Sequence, residues 1–207
     1  MLIGINALAA FKQPRTGVEE YTYQLIRHLA ELEESRKYRF LLYCNDVILN
    51  KAKRSEKSRG ISDTSTGFFA NAQNDAIRLP ANFKIRTLKW PMPMWTQIRL
   101  AAEMFFQPPD VLFIPAHILP LIHPKNSVVT IHGLEYEYYP EMYPPGHLRY
   151  LRWSTKYALK QARKIIAASE NTKRDLVELY GGNPEKIKVV YHGVDVGNFE
   201  FAAEGGN

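Results

Sequence analysis

Hydrophobic residues follow two different periods along this chain, and the two periods alternate. Short apolar runs such as those at 2–6, 111–114 and 127–131 contain Val or Ile and are typical of strands buried on both faces. Between such runs, apolar residues recur every three or four positions, as expected for helices that pack on a sheet. Predicted strands cover 2–6, 38–44, 83–88, 111–114, 127–131, 165–168 and 187–191, and predicted helices start after Thr16 and cover 96–106, 146–164 and 171–180. The alternation predicts an α/β fold with a doubly wound parallel sheet.

One long segment lacks both periods. Residues 51–60 carry five basic side chains and one acidic one, and the polar stretch at 62–67 has no apolar repeat. We therefore predict a mobile surface insertion over about 50–76.

Length and cysteine content narrow the class of protein. A chain of 207 residues suits one well-packed domain. Its single cysteine, Cys44, gives no disulfide framework and suggests a reducing compartment. The chain starts directly with a strand-like run and has no apolar window of about 18 residues, so we expect neither a signal peptide nor a spanning helix. These features predict a cytoplasmic protein.

The formal net charge of +6 indicates anionic partners, such as phosphates or lipid headgroups. Nucleic acid is a poor candidate, because the chain lacks zinc-finger spacing, an aromatic RNA-binding signature and a compact basic recognition helix. The six histidines do not pair at zinc-ligand spacing with an acidic partner either. We therefore expect no metal site.

Ligands of a doubly wound sheet collect at the carboxyl ends of its strands. In this chain that rule selects the loop at 7–17 and the turns at 115–117, 132–133 and 169–170. Ser169 in the last turn is predicted to cap the following helix. His117 and His192 also follow predicted strands, and each is either a cleft residue or a structural turn histidine.

His132 is the strongest single candidate. It follows a buried strand and precedes Gly133, so its ring should project at the carboxyl edge of the sheet. A histidine there can donate to a sugar hydroxyl or a phosphate oxygen, or it can simply bond a neighbouring loop. Glu135 and Tyr136 follow, among further acidic and tyrosine residues, in a mixture that suits either sugar recognition or an aromatic loop with solvated acids.

The loop that ends in Thr16 and Gly17 opens directly into a helix. Thr16 and Glu19 have the spacing of a capping box. Free backbone N–H groups and the helix dipole favour a phosphate there, and Gly17 permits close approach. The alternative is an ordinary capped helix start.

A row of basic residues marks the helix predicted over 146–164. Spacings of three and four place them on one face, which is either solvated or in contact with an anionic membrane. The residues are Arg149, Arg152, Lys156, Lys160 and Arg163.

The order and spacing of several motifs resemble the N-terminal domain of family 4 retaining glycosyltransferases, which have a GT-B fold of two Rossmann-like domains. The resemblance rests on MLIGIN (1–6), TGVEEYT (16–22), DVLFIPAH (110–117), VTIHG (129–133), AASENTKRDL (167–176) and VYHGVD (190–195). It implies that residues 1–195 form the acceptor-side domain and that 196–207 begin an interdomain linker. The donor-binding C-terminal domain of that family is absent from this sequence.

The resemblance also implies roles for particular residues. His132 matches a histidine that contacts the transferred sugar and is the candidate catalytic residue. Thr16, Gly17 and Gly133 are assigned to the phosphate or sugar of a nucleotide-sugar donor, although relatives often carry Asp in place of Gly133. His117, Glu135 and Tyr136 are assigned to a glycan or lipid-linked acceptor. No cofactor or metal is implied.

Two other functions fit the same sequence. The chain could be a non-catalytic binding or anchoring subunit that pairs with a separate donor-binding chain. It could also be an unrelated nucleotide-binding domain, although it lacks the Gly-x-Gly-x-x-Gly motif of dinucleotide binders. Whichever function holds, the basic helix face through Arg149, Arg152, Lys156 and Lys160 is a candidate for peripheral contact with the inner face of the membrane.

Overall fold

Seven parallel strands form one sheet at the centre of the protein. The computed structural model describes residues 1–12, 14–46, 68–69, 77–90 and 94–193. In chain order the strands of this sheet are β1 (Leu2–Asn6), β2 (Arg39–Asn45), β5 (Phe83–Leu88), β6 (Val111–Ile114), β7 (Ser127–Ile131), β8 (Lys164–Ala167) and β9 (Ile187–Val189). They are arranged in the order β5-β2-β1-β6-β7-β8-β9, and all six neighbouring pairs are parallel. The predicted fold class is confirmed.

The helices lie close to their predicted positions. They are α1 (Gly17–Glu31), α2 (Ala101–Phe106), α3 (Glu135–Tyr138), α4 (Pro145–Gln161) and α5 (Glu170–Glu178). A π-helical turn, Thr96–Leu100, precedes α2. Helix α4 ends before Arg163, so that residue lies outside the helix on which we predicted it.

Two buried clusters show that the helices cover both faces of the sheet. Neighbouring residues of a strand point to opposite faces. On β2, Leu42 belongs to a cluster with Tyr23 and Ile26 of α1, whereas Tyr43 belongs to a cluster that contains residues of α2, α4 and α5. Helix α1 therefore packs on one face, and α2, α4 and α5 pack on the other.

The direction of winding reverses between β1 and β6. From β1 the chain crosses to β2 on one side, and from β6 it proceeds through β7 and β8 to β9 on the other side. The topological switch point therefore lies between β1 and β6, and ligands of sheets of this kind bind at the carboxyl ends of the strands there.

Part of the predicted insertion at 50–76 is regular structure. Two short antiparallel strands pair with each other, β3 (Phe68–Phe69) within the insertion and β4 (Ile77–Arg78) just after it. Aromatic residues such as Phe68 and Phe69 favour a strand, and the mobility of the insertion over about 50–76 stays a prediction. The remainder of the insertion and the predicted linker at 196–207 lie outside the described residues.

Two glycines end α5. Gly181 adopts φ +65°, which lets its N–H bond the carbonyl of Val177 at 2.9 Å. The N–H of Gly182 bonds the carbonyl of Leu176 at 2.9 Å. A Cβ on Gly182 would lie 2.8 Å from that same oxygen and 2.9 Å from Leu159 Cδ2.

Within the described residues, no helix is both long enough and apolar enough to cross a membrane.

We predict opposite effects of alanine at two glycines. Gly182→Ala should lower the free energy of unfolding by about 1–3 kcal/mol, because the new methyl group overlaps a backbone oxygen. Gly146→Ala should be neutral or raise it by up to about 1 kcal/mol, because Gly146 lies in α4 with nothing within 4 Å of its Cβ position. Urea denaturation of both variants tests this pair. Equal stability of the two variants would contradict the packing at Gly182.

Candidate functional site

His132 follows β7 directly, and its ring lies at the carboxyl edge of the sheet. Its Nε2 is 2.8 Å from the carbonyl oxygen of Pro115, the residue that follows β6. Its Nδ1 is 3.2 Å from Nε2 of His192, which lies beyond β9. The ends of three strands therefore meet at this ring, as the parallel sheet requires.

The hydrogen bonds decide which nitrogen of His132 carries the proton. A carbonyl oxygen can only accept, so Nε2 of His132 donates to Pro115. In the neutral ring Nδ1 then has a lone pair, which accepts from the Nε2–H of His192. Any ligand hydroxyl that replaces His192 would find a hydrogen-bond acceptor at Nδ1. The sequence had left open donation to a ligand or a bond to a neighbouring loop, and Nε2 makes the loop bond to Pro115.

Burial keeps His132 neutral. Loss of contact with water lowers its pKa to about 4, and the nearby rings of His117 and His192 act in the same direction. The Pro115 carbonyl and the Glu135 carboxylate raise the pKa, but by less. A ring with so low a pKa is a weak base at neutral pH and is suited to orienting a hydroxyl rather than to removing its proton.

Helix α1 supplies a second aromatic wall. The ring of Tyr21 meets that of His132 edge to face, with centroids 4.7 Å apart, and lies 4.8 Å from that of His192. Its hydroxyl is 3.4 Å from Oγ1 of Thr130 on β7. Tyr21 is not among the residues singled out from the sequence. Its position four residues after Gly17 is the signal that could have indicated a role at the site.

Thr16 and Gly17 lie at the start of the same helix. Thr16 is the N-cap, and the Glu19 carboxylate accepts from its backbone N–H at 3.2 Å, as the predicted capping box requires. Residues four apart share a helix face, so Gly17 lies one turn before Tyr21 on the side of His132 and His192. Gly17 is exposed, with no atom within 4 Å of its Cβ position.

His117 and Gly133 belong to the same cluster. The ring centroids of His117 and His132 are 5.7 Å apart, and Nε2 of His117 donates to the Gly133 carbonyl over 3.2 Å. Burial lowers the pKa of His117 as well. A Cβ on Gly133 would lie 2.7 Å from a carboxylate oxygen of Glu135, so the glycine leaves room for that exposed acid beside both histidines.

Tyr136 does not reach this cluster. Its side chain is 2% exposed and packs in the core, where its hydroxyl lies 2.7 Å from Oγ1 of Thr155 on α4. The assignment of Tyr136 to acceptor contact is therefore corrected to a structural one, because so little of the side chain is exposed that it cannot meet a ligand. The neighbouring Glu135 remains at the surface.

Ser169 caps α5, as the sequence indicated. Its Oγ accepts from the backbone N–H of Thr172 at 3.0 Å. Thr172 in turn donates from Oγ1 to the carbonyl of His132 over 3.2 Å. The cap therefore also holds the turn after β7 in place.

Arg152 is set apart from the other basic residues of α4. It donates to both carboxylate oxygens of Glu137, through Nε at 3.0 and 3.1 Å and through Nη2 at 2.8 Å. Tyr180 donates to the same carboxylate. The ion pair lines a cavity of about 430 Å³ that Tyr138, Lys156 and Leu179 complete. Arg152 therefore bonds within the domain, whereas Arg149, Lys156 and Lys160 are exposed.

Among the described residues, no group of three or more His, Cys, Asp or Glu side chains is placed to hold a metal ion.

We predict that His132 makes the stability of the domain depend on pH. Its folded-state pKa, about 4, is below the ordinary value of 6.5, so between these values the unfolded chain binds more protons. Stability should fall as the pH is lowered from 6.5 to 4. His132→Asn should flatten that part of the profile, measured by urea unfolding at several pH values. An unchanged slope in the variant would contradict the neutral, buried ring.

Comparison with known proteins shows the family of the chain. The family model of Glycosyltransferase Family 4 matches residues 15–198. The chain is 25% identical over 117 residues to the O-antigen chain mannosyltransferase RfbU of Salmonella typhimurium (strain LT2), a match that covers 56% of this chain and 31% of that protein. It is 20% identical over 183 residues to O-antigen chain mannosyltransferase B of Escherichia coli, covering 88% of this chain and 45% of that protein. The chain thus spans less than half the length of these two relatives. Because the family match covers most of its length, the chain belongs to Glycosyltransferase Family 4.

Proposed function

We propose that this chain is the acceptor-side domain of a retaining glycosyltransferase. The complete enzyme would move a sugar from a nucleotide-sugar donor to a hydroxyl of a glycan or lipid-linked acceptor on the cytoplasmic side of the membrane. Membership of Glycosyltransferase Family 4 supports sugar transfer in general. The observation that carries the finer proposal is the neutral ring of His132, whose Nδ1 lone pair lies at the carboxyl edge of the sheet.

A sugar hydroxyl suits this nitrogen better than a phosphate oxygen. A hydroxyl can donate to the Nδ1 lone pair, whereas an ionised phosphate oxygen is itself an acceptor. The exposed Glu135 beside the ring offers a second acceptor for sugar hydroxyls. His132 and Glu135 therefore form a surface that matches hydroxyl groups.

The start of α1 is the better place for the donor phosphates. Backbone N–H groups of the first turn are free of intrahelical partners and the helix dipole favours an anion there. Two acids lie in this turn, but Glu19 pairs with Lys12 at 3.1 Å and Glu20 pairs with Arg15 at 2.9 Å. The pairing offsets their charge, and the bare Gly17 leaves space for a phosphate.

In the proposed reaction, the acceptor oxygen bonds to the anomeric carbon of the sugar on the face that the phosphate leaves. The bond between that carbon and the phosphate oxygen breaks, and the departing phosphate takes the proton of the acceptor hydroxyl. His132 accepts a hydrogen bond from the transferred sugar and orients it. A ring whose pKa is about 4 fits this orienting role and does not fit that of a general base.

The two mannosyltransferase relatives favour a role in polysaccharide assembly. Both are described as O-antigen chain mannosyltransferases. We therefore include mannose-containing oligosaccharides among the acceptors to be tested first.

Titration calorimetry of the 207-residue chain tests the assignment of this domain to the acceptor. We expect measurable binding of mannose-containing oligosaccharides and weak or no binding of UDP, GDP and their sugar conjugates. Tight nucleotide binding would place the donor site within these residues and would overturn the proposal. Glu135→Ala, which removes an exposed acid assigned to the acceptor, should weaken the oligosaccharide signal, whereas His28→Ala, on the exposed side of α1, should retain it.

We also predict the effect of His132 on turnover. In an enzyme that contains this domain, His132→Ala should lower kcat at least tenfold, which is about 1.4 kcal/mol of barrier. His28→Ala is the control, because that histidine bonds the Gln24 carbonyl of its own helix. A His132→Ala enzyme with unchanged turnover would exclude the orienting role.

A further inference from the structure

The outward side of α4 combines basic and aromatic residues. Arg149, Trp153, Lys156 and Lys160 are spaced by four, three and four positions, and all are exposed. The sequence of α4 contains no Asp or Glu. The opposite side of the helix, with Ala158 and Leu159, is buried against the sheet. We call these four outward residues the α4 face.

Neighbouring residues hold Trp153 in position. Its ring is stacked on Tyr150 and Tyr157, with centroids 5.8 and 5.4 Å away and interplanar angles of 25° and 15°. Tyr157 donates to the carbonyl of Leu121 over 2.9 Å, and Gln97 donates to the hydroxyl of Tyr150 over 3.2 Å. Trp153 is nevertheless 42% exposed. An ordered ring loses little side-chain entropy when it docks on a partner.

Apolar side chains extend this surface beyond the helix. Leu121 and Ile122 are 52% and 44% exposed, and Leu121 is tied to Tyr157 by the hydrogen bond described above. A continuous surface of exposed aliphatic, aromatic and basic groups is unusual where a protein meets only water.

We propose that the α4 face docks on an anionic lipid bilayer. Tryptophan and tyrosine favour the interface between headgroups and acyl chains, and exposed basic residues are attracted to acidic headgroups. Because α4 contains no acidic residue, the helix itself carries no negative charge that the acidic headgroups would repel. Arg152 is not part of the contact, because Glu137 already engages its guanidinium with three hydrogen bonds.

The position of α4 suits a membrane contact that brings a lipid-linked acceptor to the site, an inference that rests on the proposed function. Helix α4 begins at Pro145, ten residues after Glu135 at the carboxyl edge of the sheet. Between them, Tyr139 and Met142 are 57% and 75% exposed. A membrane held against this side would present a lipid-linked acceptor close to His132.

Cosedimentation with vesicles tests the docking itself and does not require glycosyl transfer. The 207-residue chain should bind vesicles that contain phosphatidylglycerol and should not bind vesicles of phosphatidylcholine alone. Changing Arg149, Lys156 and Lys160 together to Glu should weaken binding at least tenfold. The matched control changes Arg36, Lys37 and Lys84 to Glu, which are exposed near the β5 edge of the sheet and alter the net charge equally.

A second pair of variants tests the aromatic part of the contact without any change of charge. Trp153→Ala should weaken binding to the phosphatidylglycerol vesicles severalfold, whereas Phe106→Ala, at the end of α2, should bind as the unmodified chain does. Circular dichroism shows whether each variant is folded.

Three outcomes would overturn the proposal. The first is that the unmodified chain does not bind the anionic vesicles. The second is that both triple variants lose binding equally, which would indicate that net charge alone drives it. The third is that Trp153→Ala binds as tightly as the unmodified chain. If vesicle binding follows the α4 face but oligosaccharide binding is absent, docking stands and the proposed function fails. The reverse pattern leaves the proposed function and removes the membrane contact.

Discussion

The hydrogen bond from His132 to the carbonyl of Pro115 is the interaction on which the site depends. It joins the ends of β6 and β7, which are neighbours in the sheet. It also places the proton on Nε2 and thereby leaves a lone pair on Nδ1. Without this bond the ring could turn or change tautomer, and the edge of the sheet would lose its hydroxyl-binding acceptor.

Contacts around the His132 ring keep it neutral and in a fixed orientation. Thr172 donates to the carbonyl of His132, Tyr21 lies edge to face against its ring, and burial keeps the pKa low. These contacts come from α5, α1 and the sheet, so the site is a product of the whole fold rather than of one loop. His192 occupies the only ring nitrogen of His132 that is not bonded to Pro115, and a ligand hydroxyl would have to take its place.

The basic row on α4 illustrates how packing separates residues of one type. Arg152 faces Glu137 and Tyr180 and bonds within the domain, whereas Arg149, Lys156 and Lys160 remain exposed beside a stacked tryptophan. The charge of Arg152 is engaged by a carboxylate, so it contributes little to the field outside the domain. A sequence pattern of basic residues therefore overstates the number that can meet a partner.

The sequence by itself determined the parallel sheet, the order of its elements and the carboxyl-edge position of His132, because strand and helix periods and β-branched residues are local properties. It also indicated the Thr16 and Ser169 caps, whose chemistry spans only three residues. Only the tertiary structure decided that Tyr136 is a core residue, that Tyr21 and His192 contact His132, and which His132 nitrogen is the acceptor. Those outcomes depend on contacts between residues about 19 to 111 positions apart, which no local period encodes.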